Sequence, residues 1–134
     1  MIINITYKTT IKQLQKKVTV AYPFLKVEFC IKLNEKGERI TKQQFCDPDL
    51  KLLDVAKKPE PGWIVMHPWH TIRYLKEAFK NRFGIHAQFF RKENDQWVQI
   101  LGTDAFTLDE QNEIGRKMID KAHQVFRRER ELLL

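Results

Sequence analysis

Cysteine is scarce in this 134-residue chain, with two, and glycine and proline are sparse at five each. Two cysteines with no CxxC spacing exclude a disulfide-stapled mini-protein. The few glycines exclude a collagen-like repeat, and with aromatics at 11% and hydrophobics at 43% the chain is not disordered. Long apolar runs are missing too. The uncharged stretch between Glu60 and Arg73 is too short to cross a bilayer and carries His and Pro, so no membrane association is expected. The N-terminus shows neither a signal-peptide pattern nor a lipidation motif, and the expected address is the cytoplasm, with Cys30 and Cys46 as free thiols.

Recognised catalytic motifs are likewise missing. There is no Gly-rich phosphate loop, no nucleophile elbow and no His-Glu helix motif, so the chain reads as a non-catalytic protein that needs no cofactor. What it does have is charge. Lys and Arg number 24 against 17 acids, a net charge of +7, carried as +5 on residues 1–60 and +2 on 61–134. A charge of this sign favours polyanions through counterion release.

The hydrophobic pattern sets the elements. Ile3 and Ile5 alternate with polar residues as a short strand. Thr10 with Gln13 has the capping-box spacing, and Ile11, Leu14 and Val18 then line one helical face up to Tyr22-Pro23. Leu25, Val27, Phe29 and Ile31 alternate with Lys26, Glu28, Cys30 and Lys32, which predicts a strand with one buried and one wet face. A turn over Asn34–Gly37 and a return strand over Glu38–Phe45 are expected next, placing Cys30 opposite Thr41 and away from Cys46. Asp47 with Pro48 reads as a helix start running through Leu50, Leu53, Val55 and Ala56. Pro59–Gly62 breaks the chain.

The same order then recurs. Trp63–Met66 is a strand. Thr71 caps a helix with Ile72, Leu75, Ala78 and Phe79 on one stripe, closed by Gly84. Ile85, Ala87 and Phe89 alternate with His86, Gln88 and Phe90, Asn94-Asp95 turns, and Trp97–Leu101 returns with Trp97 in the core. Thr107 with Glu110 caps a final helix of about 36 Å running to Glu131, its stripe holding Leu108, Gln111, Ile114 and Met118. An offset of 61 lays Ile3 on Ile64, Thr10 on Thr71 and Leu14 on Leu75; after one gap an offset of 60 lays Leu25, Val27 and Phe29 on Ile85, Ala87 and Phe89. The expectation is one compact α+β domain over 1–134, duplicated as β-α-β-β-α over 1–60 and 61–134. Its helices pack on one face of a continuous antiparallel sheet of about six strands. A ferredoxin-like sandwich closed by Met1–Met66 is the alternative.

Function is open at this level. A protein-binding module is the first reading, since Trp63 and Trp69 are interface-type residues and Leu132, Leu133 and Leu134 form an apolar end that can serve a partner or a homodimer. Single-stranded nucleic acid or another polyanion is the second. It would bind a basic, aromatic sheet face made of Lys26, Lys32, Phe90, Arg91 and Lys92, with Arg116, Lys117, Lys121, Arg127 and Arg128 from the last helix. A small-ligand or metal pocket around His67, His70 and His86 is the third, although Pro68 between the first two favours diverging rings.

Overall fold

A computed structural model of the chain describes residues 1–32 and 41–132, apart from the side chains of 120, 122–127 and 129–132. The described elements are β1 (Ile2–Ile5), α1 (Ile11–Ala21), β2 (Leu25–Cys30), α2 (Leu52–Val55), β3 (Gly62–Val65), α3 (Ile72–Phe83), β4 (His86–Glu93), β5 (Gln96–Gln99) and α4 (Leu108–Leu132). The fold is α+β with two antiparallel sheets, β1–β3 and β2–β4–β5. One continuous sheet is therefore not formed. Nor does Met1–Met66 close on itself, because β2 takes its partner from the second half.

The helix starts obey the residues that cap them. Thr10 Oγ1 accepts the Gln13 N–H at 3.2 Å while Gln13 Oε1 accepts the Thr10 N–H at 2.9 Å. Thr71 Oγ1 accepts the Tyr74 N–H at 3.0 Å, and Thr107 and Glu110 form a second capping box. Gly84 ends α3 in the left-handed region at φ 63, which a side chain resists. Asn94 and Asp95 turn β4 into β5 at φ 49 and 64, the geometry of a tight hairpin.

Two expectations fail in the first half. The turn at Asn34–Gly37 and residues 38–40 of the return strand lie outside the described residues. Residues 41–45 are not strand: Lys42–Gln44 form a turn of 3₁₀ helix, and the chain rejoins β2 only where the Cys46 N–H donates to the Phe29 carbonyl at 2.7 Å. Cys46 thus lies beside the end of β2 that carries Cys30, not away from it. Asp47 starts no helix. The carbonyls of Pro48 and Leu50 accept the N–H groups of Lys12 (2.8 Å) and Ile11 (2.9 Å), which α1 cannot satisfy internally. That bonding holds 47–50 as a single tight turn, closed by the Leu50 N–H donating to the Asp47 carbonyl at 3.1 Å; Asp47 Oδ1 accepts the Asp49 N–H at 2.9 Å, and α2 is a single turn beginning at Leu52.

The same attachment recurs at α3. Ile72 and Arg73 donate to the carbonyls of Phe106 (3.2 Å) and Asp104 (2.9 Å), and Leu108 donates to His70 (2.9 Å) as Leu52 does to Thr9 (3.0 Å). Sheet register shows a parallel regularity: Ile3 stands opposite Ile64 in β1–β3, and Glu28 stands opposite Gln88 in β2–β4.

One core unites the elements. Ile3, Ile5 and Ile64 from the two-stranded sheet join Leu25, Val27, Phe29, Ala87 and Phe89 from the other, covered by Ile11, Leu14 and Val18 of α1 and Ile72, Leu75, Phe79 and Phe83 of α3. Phe79 meets Phe29 edge-on at 5.1 Å. Helix α4, 25 residues and about 37 Å long, buries Leu108 and Gln111 fully and leaves Ile114 and Met118 half-buried. Its closest approach is at Gly115, where an added Cβ would sit 2.6 Å from the Phe24 Cβ.

Candidate functional site

The residues named from the sequence do not gather in one place. Lys26 and Lys92 do stand with Trp97 on the sheet face that points away from the core, their ammonium groups 5.5 and 5.9 Å from its ring. Trp97 is on this outer face and 37% exposed, so it is not the core residue expected. Phe90 belongs to the same face by register, but Phe45 meets its ring edge-on at 5.7 Å and, with Cys30, buries it; no base can stack there. Arg91 points to the opposite, inner face. There its guanidinium pairs with Glu93 and donates to Gln111 Oε1 at 2.7 Å, so its charge is already used.

Helix α4 lies on that inner side, which separates its bases from Lys26 and Lys92. Arg116 is paired with Glu113 three residues before it. Lys117, Lys121 and Arg128 are exposed along the helix. The Arg127 and Leu132 side chains, and Leu133 and Leu134 altogether, lie outside the described residues. Lys32 is exposed just past β2.

His67 and His70 do not diverge. Their rings are 5.3 Å apart because the His67 N–H donates to His70 Nδ1 at 3.0 Å, folding the Pro68 turn back on itself. His67 stacks on Trp69 at 4.4 Å and His70 on Tyr74 at 4.3 Å. The N-terminal amino group lies 3.3 Å from His67 Nδ1. Each Nδ1 is engaged, and among the described residues there is no cluster of three metal-ligand side chains. Burial, the neighbouring His67 and the N-terminal charge hold His70 below the usual imidazole range. His86 sits on the other flank of α3, where burial and then Lys80, Lys57 and Lys76 also lower its pKa.

The exposed apolar residues concentrate elsewhere. The outward side of the β1–β3 ribbon presents Ile2 opposite Val65 and Asn4 opposite Trp63. Helix α1 flanks it with Val20, 72% exposed, and α3 flanks it with Tyr74; Trp63 is 60% exposed and Trp69, 67% exposed, follows at the end of the strand. A cleft of about 520 Å³ separates β1 from α1, lined by Asn4, Gln13, Lys17 and Val20. Another of about 370 Å³ separates β3 from α3, lined by Val65, Tyr74, Ala78 and Asn81. Arg82 closes the second, its guanidinium 5.9 Å from the Trp63 ring and donating to the Pro61 carbonyl at 3.3 Å. Sequence reasoning named Trp63 and Trp69 but missed Val20 and Tyr74. Each lies off the buried stripe of its helix, and an apolar side chain in that position was the available signal.

Two further clefts lie on the opposite flanks of the same helices. One, of about 480 Å³, runs between α1 and Lys26, Glu28 and Trp97. The other, of about 220 Å³, runs between α3 and His86 and Gln88. No family model, curated protein or solved structure matches the chain. Among the described residues no helix is long and apolar enough to cross a membrane.

Proposed function

We propose that the chain is a non-catalytic, cytoplasmic protein-binding module whose docking face is the outward side of β1–β3 between α1 and α3. The observation that carries this reading is the row Ile2, Val65, Trp63 with Val20 and Tyr74 on its flanks. Single exposed apolar residues need no explanation, but a contiguous set with tryptophan at its centre marks interfaces. Residues 1–27 hold five lysines and no acid, and Lys16 and Lys17 line the cleft beside β1. The partner is therefore an acidic segment with apolar anchors. A second copy docking through the same face would set these lysines against each other, which disfavours a homodimer here.

Peptide display against the immobilised full chain tests this. Enriched sequences should interleave Asp or Glu with apolar residues, and should lose about tenfold or more in affinity, roughly 1.4 kcal/mol, on Trp63→Ala or Tyr74→Ala. No enrichment, or peptides that bind both variants unchanged, refutes the proposal.

Lys26 and Lys92 about Trp97 favour a second reading, binding of single-stranded nucleic acid by stacking and charge. Trp97 fluorescence should then be quenched by oligothymidylate, steeply less so as salt rises. No quenching at low salt removes it.

The proposal extends to origin: residues 1–60 and 61–134 descend from one doubled unit. Support comes from the matched attachments of α1 and α3 and from clefts at corresponding positions. Gln13, Lys17 and Val20 line one cleft as Tyr74, Ala78 and Asn81 line its counterpart. Cross-strand nuclear Overhauser contacts that fail to place Ile3 opposite Ile64 and Glu28 opposite Gln88 would refute it.

A further inference from the structure

The β1–β3 ribbon has two strands and therefore two free edges. Its hydrogen bonding fixes which backbone groups each edge offers. The Met66 N–H donates to the Met1 carbonyl at 2.8 Å and the Met1 amino group donates to the Met66 carbonyl at 3.1 Å, so these two residues form a bonded pair. Antiparallel ladders alternate bonded with non-bonded pairs, and the register carries the bonded ones to Ile3–Ile64 and Ile5–Gly62. The residues between them turn their N–H and carbonyl groups away from the partner strand: Ile2 and Asn4 along β1, Trp63 and Val65 along β3. Among the described residues none of these groups meets a hydrogen-bond partner.

The two edges are not equally open. Beside β3 the Arg82 side chain closes the cleft, its guanidinium over the Trp63 ring and bonded to the Pro61 carbonyl. The offset of 61 that lays Thr10 on Thr71 lays Ala21 on Arg82, and Ala21 lines the cleft beside β1 with a methyl group alone. That cleft, about 520 Å³, stays open along the edge of β1. The strand itself carries none of the devices that keep an edge from pairing: Ile2–Ile5 has no proline, no charge and, in its register with β3, no bulge. Lys16 and Lys17 of α1 line the cleft, and no acid is among the described residues that do so.

We infer that the acidic partner segment is captured as an added β-strand on the free edge of β1, its backbone bonded to Ile2 and Asn4 in the cleft beside α1. This rests on the ribbon as the docking face and adds how the partner is held there. In strand addition main-chain bonds supply affinity and alternate side chains supply choice. Successive side chains of the added strand point to opposite faces. One set extends the apolar row of Ile2, Val65 and Trp63. The other faces α1, where carboxylates meet Lys16 and Lys17. The partner is therefore an extended stretch alternating apolar with acidic residues over at least the four-residue length of β1.

The probe is a synthetic octapeptide alternating Val and Asp, added to the nitrogen-15-labelled full chain. At saturation, hydrogen exchange read by NMR should slow by about tenfold or more at the Ile2 and Asn4 amides, while the Trp63 and Val65 amides keep their rates. Methylating one alternate set of the peptide's backbone nitrogens should abolish binding, because those N–H groups face β1. Methylating the other set should leave affinity within about threefold. Lys16→Gln/Lys17→Gln, two exposed positions, should weaken binding several-fold. Unchanged exchange at Ile2 and Asn4, equal effects of the two methylated sets, or full affinity in the lysine variant overturns strand addition. If the peptide fails these tests yet binds in a manner that Trp63→Ala weakens, strand addition alone falls and the ribbon face stands. A peptide that does not bind at all removes strand addition together with the acidic-partner reading.

Discussion

Replacing Gly115 with alanine tests the packing of α4 against a simple expectation of opposite sign. In a helix interior Ala is preferred to Gly by about 1 kcal/mol, so the substitution should stabilise if α4 had open space at this position. It does not: the new Cβ would lie 2.6 Å from the Phe24 Cβ and 3.4 Å from the Arg91 Cγ. Phe24 cannot swing away, because the colliding atom is its first side-chain carbon and its backbone is held on both sides. Its N–H donates to Asn112 Oδ1 at 3.0 Å and its carbonyl accepts from the Lys92 N–H at 2.9 Å. The helix must therefore retreat, stretching the Asn112 contact and the Arg91–Gln111 bond. Overpacking of this kind costs about 1–3 kcal/mol and each weakened hydrogen bond adds about 0.5–1.5 kcal/mol. After subtracting the helix-propensity gain of about 1 kcal/mol, Gly115→Ala should destabilise by about 1–5 kcal/mol in urea denaturation monitored by circular dichroism. Gly102→Ala is the control: nothing lies within 4 Å of its Cβ, and the change should be neutral or stabilise by about 0.4–1 kcal/mol. A Gly115→Ala protein more stable than the parent would show that α4 does not seat on Phe24.

Two other measurements follow. Burial and the neighbouring Cys46 push the Cys30 thiol up to about 11, and burial also raises Cys46, so neither should react with Ellman's reagent in the reduced native protein at pH 8, while both react after denaturation; a fast-reacting native thiol would contradict this. His70 and His86 are both held below the ordinary histidine value of about 6.5, so on acidification the unfolded chain takes up protons first. Stability should be full above about pH 6.5 and decline as pH falls through the lowered values. His86→Gln should flatten that decline, and a stability that rises on acidification over the same range would refute the assignment.

Wherever one interaction decided the structure, the sequence was legible. Thr10, Thr71 and Thr107 each announce a helix by a hydroxyl placed before the first turn, Gly84 ends one, and the alternation in Leu25–Phe29 and Ile85–Phe89 fixes which face of the sheet is buried. What could not be read was decided by distant backbone. Asp47-Pro48 has every local mark of a helix start, yet the carbonyls of Pro48 and Leu50 are taken by α1, and the segment stops at one turn. Phe90 and Cys30 alternate as wet-face residues and are buried because Phe45 folds over them. Arg91 reads as a surface cation, but its place in the register of β4 turns it inward to Gln111. Of the ribbon face, the two tryptophans could be named; that Val20 and Tyr74 join them depends on how two helices flank a strand pair made across 60 residues.

That pairing also bears on the proposed doubling. Sequence offsets of 61 before the gap and 60 after it make Ile3 equivalent to Ile64 and Glu28 equivalent to Gln88, and these are the residues that stand opposite each other in β1–β3 and β2–β4. In an antiparallel pair related by a twofold axis, equivalent residues face each other at only one position, where the axis passes. Two strand pairs in separate sheets each meet that condition with the alignment the sequence supplies. Both principal strand pairs thus join one half to the other, and among the described residues an isolated half keeps no strand partner for β1 or β2. Two-stranded ribbons and lone strands are marginal in water, so residues 1–60 alone are not expected to fold. On the proposed doubling, fused halves would be free to diverge, and the change from Glu28 to Gln88 at one equivalent position is what such divergence would leave.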